Sequence, residues 1–332
     1  MEKPLLSVRD LRVSFQTPGG YVEAVRGVNF SLARSEIMSL VGESGSGKSI
    51  TMRAVMGLLP PTALVTGSVE FDGRQLLGSP ESEMRRVRGA RMSMVFQDPL
   101  TALNPVLTAG EQVMEAIRIH HPEVSAKAAR EMAIELFRSV AIPYPEKRVD
   151  QYPHEFSGGM RQRVVIAIAI ANKPDVIIAD EPTTALDVTV QAQVLELLRE
   201  LCEKNRTGLV LITHDLGVVA GMAENVSVMY AGSIVEQAPV DALFERARHP
   251  YTRGLLGALP QITGTISRLN DIGGAPPTAA TIPPGCAFNP RCLFAEDLCR
   301  TAKPELHGFA GGDVACHFAE RLPEYQLEGE PA

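Results

Sequence analysis

Nine consecutive residues concentrate the chemistry of this chain: Val41-Gly42-Glu43-Ser44-Gly45-Ser46-Gly47-Lys48-Ser49. The spacing of Gly42, Gly47, Lys48 and Ser49 fits the pattern G-x-x-x-x-G-K-S/T, in which each residue type has a mechanical reason. Gly42, Gly45 and Gly47 let the backbone bend so that successive N–H groups, those of Ser44 and Ser46 among them, face one cavity. The N-terminus of the following helix, opening at Ile50, adds positive potential for a polyphosphate. Lys48 is expected to reach the β- and γ-phosphates, and Ser49 to offer its hydroxyl to Mg²⁺. Such a loop marks nucleotide binding without saying which machine uses it.

Other polar groups stand where elements begin or end. Gln97 closes the strand-like run Arg91 to Phe96, at the carboxyl end where ligands of α/β sheets bind. Asp180 and Glu181 close the apolar run from Asp175, and paired carboxylates ending a buried strand need a reason, because buried charge is costly. Asp180 is suited to hold Mg²⁺ through water, and Glu181 to orient and deprotonate an attacking water. His214 closes the run from Leu209. Ser157 is a natural N-cap, and Gly158 and Gly159 leave backbone N–H groups uncovered, so a second helix N-terminus is presented to an anion. Phe15, with Tyr21 second, offers a face for stacking on adenine, with plain core packing as its alternative.

The elements that must position these groups are legible as periodicity. Glu36 to Val41 reads as a strand, Ile50 to Leu59 as a helix closed by Pro60-Pro61. Leu11 to Phe15 and Val25 to Leu32 are strand-like runs around the turn signal Thr17-Pro18-Gly19-Gly20, and Gly67 to Phe71 is another before an Asp72-Gly73 turn. Ala109 to His120 and Ser125 to Ala141 carry apolar residues at helical spacing. Val164 to Ala171 and Val188 to Lys204 read as helices, with Pro182 to Asp187 as a tight connection into the second.

In order and spacing, the phosphate loop, Gln97, Ser157-Gly158-Gly159, Asp180-Glu181, Leu186-Asp187 and His214 resemble an ATP-binding-cassette (ABC) ATPase over about residues 5 to 240. The resemblance implies an α/β fold: a P-loop ABC ATPase with a RecA-like core, an antiparallel β subdomain and an inserted helical subdomain at about residues 99–172. The ATPase domain is expected over 1–245 and a loop-rich C-terminal extension over 246–332. It implies hydrolysis of ATP with Mg²⁺ in a head-to-tail dimer, each nucleotide lying between one subunit's phosphate loop and the other's Ser157-Gly158-Gly159. Lys48, Ser49, Gln97 and Asp180 would then bind phosphates and Mg²⁺, Glu181 act as general base, His214 contact the γ-phosphate and Asp187 cross to the partner's site. Phe156 and Met160 depart from the Leu and Gln common in that signature, and neither supplies its hydroxyl or glycine amides.

Val95 to Pro99 with Leu103-Asn104-Pro105, Tyr152 to Phe156, Asp187 to Gln193 and the tail after Ala238 resemble more narrowly the ATPase subunits of oligopeptide and dipeptide importers. That resemblance implies a peripheral place on the cytoplasmic face of the inner membrane and a second ATPase subunit, alike or different. It also implies two transmembrane permease chains and an extracytoplasmic substrate-binding protein. Nickel or glutathione import is the alternative cargo, and a soluble ABC ATPase of translation or DNA repair the alternative class.

Composition agrees with that class. The net charge of -7 and pI near 5.6 argue against nucleic acid as the main partner. The longest apolar run, Val164 to Ala171, is far short of the roughly 20 residues a membrane-spanning helix needs. No secretory signal precedes the first strand-like segment, so a cytoplasmic protein is expected. Beyond Gln237 proline becomes frequent, and the tail holds Cys286, Cys292, Cys299 and Cys316 in a C-x5-C-x6-C-x16-C pattern. Four thiolates suit an iron–sulfur cluster, a zinc site or no ligand at all. Importer ATPases resembling this chain carry a four-iron (4Fe–4S) cluster at such a spacing, which makes the cluster the expectation, with a structural role. Cys202 reads as buried filler in its helix.

Overall fold

The computed structural model describes residues 3–184, 186–259, 272–309 and 311–323. Ala185, within the expected connection from Pro182 to Asp187, lies outside the described residues. The strands in chain order are β1 (Leu6–Thr17), β2 (Gly20–Leu32), β3 (Ile37–Val41), β4 (Ala63–Phe71), β5 (Arg74–Gln75) and β6 (Met92–Val95). They continue as β7 (Val176–Asp180), β8 (Gly208–Thr213), β9 (Asn225–Tyr230), β10 (Ser233–Pro239), β11 (His307–Phe309) and β12 (Gly312–Val314).

Two compact units divide these elements. The first comprises Leu32–Glu36 and Gly78–Ile212. Its strands β6, β7 and β8 are parallel, with Met92 opposite Val176 and Asp180 opposite Ile212. Every residue of the three is buried, the near-continuous apolar pattern of parallel strands covered on both faces. Helices Ala109–His120, Ala126–Ser139, Gly158–Ile170 and Val188–Asn205 follow the apolar spacing in the sequence. Their starts are fixed by Thr108 in a capping box with Glu111, and by the side chains of Ser125, Ser157 and Asp187. Each such cap contributes about 1 kcal/mol.

The second unit comprises Pro4–Ser31, Ile37–Leu77 and the described residues from Thr213 onward. One sheet runs β2-β1-β4-β5, with β1 and β4 antiparallel and Leu6 opposite Phe71. A second run, β11-β12-β10-β9-β3, pairs β3 with β9 in parallel and is otherwise antiparallel. The tail thus adds a hairpin to an existing sheet, Val314 standing opposite Glu236, rather than building a new one. Beneath lies a core of Val41, Val226, Val228, Tyr230, Tyr251, Leu256 and Phe288. Burying each large apolar side chain contributes about 1.5–3 kcal/mol, so Phe288 anchors the tail to the unit that holds the phosphate loop.

The helix after that loop spans Lys48–Val55, shorter than the sequence pattern of Ile50 to Leu59. Gly57 takes a φ of 62°, and the N–H groups of Gly57 and Leu58 donate back to the carbonyls of Ala54 and Arg53. That left-handed glycine closes the helix several residues before the prolines. Among the described residues no helix is long and apolar enough to cross a membrane.

Candidate nucleotide-binding site

The phosphate loop begins where the buried strand β3 ends and turns at once into the helix Lys48–Val55. Gly42 lies against β9: a Cβ there would stand 2.1 Å from the Met229 carbonyl oxygen. Gly47, at the N-cap with φ 106°, would place a Cβ 2.9 Å from the Ala24 oxygen and 2.8 Å from Met229 Cε. Glycine at the N-cap brings no side chain to close off the helix N-terminus. The Lys48 side chain is buried, and its Nζ donates to the carbonyls of Gly42 at 2.7 Å and Glu43 at 3.0 Å. An ammonium held across the loop's own mouth is placed to exchange a carbonyl for a phosphate oxygen. The Ser46 hydroxyl is buried without a hydrogen-bond partner, an unspent donor of the kind a phosphate would satisfy. Gly45 and Ser44 are exposed at the loop tip, and Ser49 and Ile50 are half-buried in the first helical turn. These residues fit a polyphosphate with its Mg²⁺.

In the same unit Phe15 is half-buried on β1, opposite Ala63, and Tyr21 is exposed. His214 is exposed in the turn between β8 and the helix Leu216–Met222, beside the capping residue Asp215.

The other unit gathers the acids. Asp180, the last residue of β7, is 1% exposed. Glu181 follows in a left-handed conformation, φ 46°, with its N–H donating to the Ile212 carbonyl at 3.0 Å. A non-glycine residue there carries backbone strain, which clusters at functional sites. The Glu181 carboxylate accepts from Gln97 Nε2 at 3.1 Å and from Thr184 Oγ1 at 2.9 Å. Gln97 and Glu181, 84 positions apart in sequence, are therefore brought together, and Thr184 joins them with no motif to announce it. Elsewhere in this unit Ser157 Oγ accepts from the Met160 N–H at 3.4 Å, and Asp187 accepts from the Val190 N–H at 2.9 Å. A Cβ on Gly159 would stand 2.5 Å from Val190 Cγ1, so that glycine lets the helix Gly158–Ile170 approach the helix Val188–Asn205, while Gly158 stays exposed.

The cysteine expectation is overturned. Cys286, Cys292, Cys299 and Cys316 face a common cavity of about 20 Å³ walled by Phe288, Phe294, Phe318 and Leu322, room for about one water molecule. Burial pushes the thiols of Cys286 and Cys292 up to about 11, and raises that of Cys316. Among the described residues no group of three or more His, Cys, Asp or Glu side chains is placed to hold a metal ion. Neither an iron–sulfur cluster nor a zinc site is supported, and the tail is organised by its apolar contacts instead. Cys202 is buried in its helix.

The sequence reading also missed a cluster around Glu43. Its backbone N–H donates to the buried Tyr251 hydroxyl at 2.8 Å, and its carboxylate meets Arg291 of the tail at 2.7 and 2.9 Å. A separation of 248 positions leaves no local signal for that pair.

A glycine-rich loop between a buried strand and a helix, with acids at the end of a parallel strand, defines a P-loop nucleotide-binding protein of the α/β class. Comparison with known proteins narrows the class. The ABC transporter family model matches residues 25–184, and that of the oligopeptide/dipeptide transporter C-terminal region matches 235–299. The dipeptide transport ATP-binding protein DppD of Bacillus subtilis is 53% identical over 306 residues, 92% of this chain and 91% of that one. The oligopeptide transport ATP-binding protein OppD of Mycobacterium tuberculosis is 53% identical over 304 residues, 91% of this chain but 50% of its own length, so the chain spans about half of that relative. A solved dimeric ATP-binding cassette in a post-hydrolysis state, bound to ADP and Pi, is 28% identical with a TM-score of 0.64, covering 71% of this chain and 98% of that one. The chain belongs to the ABC transporter family, among the ATP-binding proteins of oligopeptide and dipeptide transport.

Proposed function

We propose that the chain is the ATP-hydrolysing subunit of an ABC importer that takes up oligopeptides or dipeptides across the cytoplasmic membrane. The observation that carries this reading is the identity with peptide-transport ATP-binding proteins, which runs through both the nucleotide loop and the C-terminal region. In this reading Lys48 and the loop amides from Gly42 to Ile50 bind the ATP phosphates, Phe15 stacks on the adenine, and Ser49, Gln97 and Asp180 hold Mg²⁺. Glu181 orients and deprotonates the attacking water, and His214 contacts the γ-phosphate. Ser157, Gly158, Gly159 and Asp187 serve the nucleotide of a second cassette, after the dimeric arrangement named for the solved relative. Catalysis of this kind is mostly positioning and charge stabilisation, which suits a loop that offers amides and one ammonium.

Two permease chains in the membrane and an extracytoplasmic binding protein complete the proposed importer, with this subunit at the cytoplasmic face. The test is purification of the native assembly followed by reconstitution into vesicles. Recovery with two membrane permeases and uptake of a labelled peptide that needs ATP and is lost with Lys48→Ala supports the reading. Recovery with ribosomes or DNA, or ATP-driven uptake of nickel or glutathione but not peptide, overturns it.

A further inference from the structure

Glu43 is the second residue of the phosphate loop, and each of its polar groups is engaged. Its carbonyl accepts from Lys48 Nζ at 3.0 Å and from the Ser46 N–H at 3.2 Å. Its N–H is taken by Tyr251, and its carboxylate forms a two-point pair with Arg291. Arg291 is unusual for a charged residue in a loop-rich tail, because its side chain is only 5% exposed. It is also fully engaged. Nε donates to the Gly273 carbonyl at 3.0 Å, Nη1 to Glu43 and to the Tyr230 hydroxyl at 3.4 Å, and Nη2 to Glu43 and to the Ile272 carbonyl at 3.0 Å. The guanidinium carbon stands 5.9 Å from the ring centres of both Tyr230 and Phe288. The planar fork of arginine is what such a geometry requires; a lysine supplies a point charge and cannot make both bonds in one plane.

We propose that Arg291 is a positioning residue for the phosphate-binding loop, acting through Glu43 to hold the Glu43 carbonyl, and with it Lys48, in the geometry that receives ATP. The chain of contacts is short: Arg291 fixes the Glu43 carboxylate, the Glu43 backbone is thereby held between Tyr251 and Lys48, and Lys48 spans the loop. Every link lies within one compact unit. The charge-assisted, two-point pair is of the stronger class of hydrogen bonds, and the burial of its guanidinium makes breaking it consequential. The C-terminal extension therefore bears on nucleotide affinity and not only on its own folding. This inference rests on the reading that the loop binds ATP.

The test compares Arg291→Ala, Arg291→Lys, Glu43→Gln and the double variant in the full chain, with Lys48→Ala alongside. Equilibrium binding of MgATP, its KM and kcat in hydrolysis, and the melting temperature without nucleotide are measured. The expected result is that Arg291→Ala and Glu43→Gln each weaken MgATP binding and raise KM by about 2–12-fold, the range of one hydrogen bond's net contribution passed on to the loop. The effect is not additive in the double variant, and Arg291→Lys recovers only part of it. A purely structural arginine lowers the melting temperature and leaves affinity unchanged in the folded protein, and that outcome overturns the proposal. Should Arg291→Ala fail to fold, Glu43→Gln decides alone: unchanged affinity overturns the proposal. If Lys48→Ala itself binds MgATP normally, the nucleotide reading fails first; if Lys48→Ala loses binding while the Arg291 and Glu43 variants keep it, the positioning inference alone falls.

Discussion

The phosphate loop and the four-cysteine segment sit on the same core of Val41, Tyr230, Tyr251 and Phe288, yet their interiors differ. The loop is lined by backbone carbonyls, a buried ammonium and a buried hydroxyl with no partner, so it keeps polar capacity that an anionic ligand can use. The cysteine segment is lined by phenylalanine rings and thiols around a space for one water. Both segments carry residue types that can bind something. Unspent polarity, and not residue identity, separates a site built for an anion from a packed apolar joint.

The largest effect that tests this contrast is at the loop. Lys48→Ala removes the buried ammonium and is expected to weaken ATP binding by about 100-fold or more, since charge-assisted contacts to phosphate are the strong ones. Equilibrium binding with labelled ATP measures it. Gly47→Ala comes next: its Cβ meets backbone at 2.9 Å in a left-handed conformation. A cost of about 2–3 kcal/mol in unfolding is expected, with nucleotide binding impaired, read by denaturant melts.

His249 sharpens the other side, because it lines the cysteine cavity and is fully buried. Burial lowers its folded-state pKa from the ordinary 6.5 to about 3. The unfolded chain therefore binds a proton that the folded one refuses, and stability present above 6.5 is lost as pH falls through the window from 6.5 to 3. This group alone removes about 1.4 kcal/mol per pH unit in that window. Glu236, whose carboxylate accepts from the Arg248 and His249 N–H groups, is shifted upward by burial, so the folded state takes up its proton before the unfolded chain does and offsets part of the loss as pH falls toward 4.5. The melting temperature is expected to fall between about pH 7 and pH 5.5, and the slope to flatten in His249→Asn, which keeps a cap for the helix Pro250–Gly257. The smallest effect is Ser157→Ala: loss of the cap on the helix Gly158–Ile170 is expected to cost about 1 kcal/mol.

What the sequence revealed follows from distance along the chain. The loop, Gln97, Asp180 and Glu181 were legible because each is a short motif at a strand end, and strand ends are set by apolar runs of β3, β6 and β7. The helix after the loop is shorter than its apolar pattern: Pro60-Pro61 is a louder stop signal in the sequence than Gly57, although Gly57 ends the helix first. The cysteines misled because spacing says nothing of the volume between thiols or of the rings around them. The pair of Arg291 and Glu43 is invisible for the opposite reason: Arg291 belongs to no pattern, Glu43 fills a position the loop motif leaves unspecified, and only the fold brings them within 2.7 Å.

The account's central claim is that this chain holds ATP at Gly42–Ser49 and cleaves it with Glu181 as the base. The measurement that tests it most directly is the chemical state of nucleotide retained by Glu181→Gln after mixing with MgATP. The account predicts intact ATP bound at wild-type affinity, with turnover slowed by about 100-fold or more. Bound nucleotide converted to ADP at the wild-type rate would contradict it.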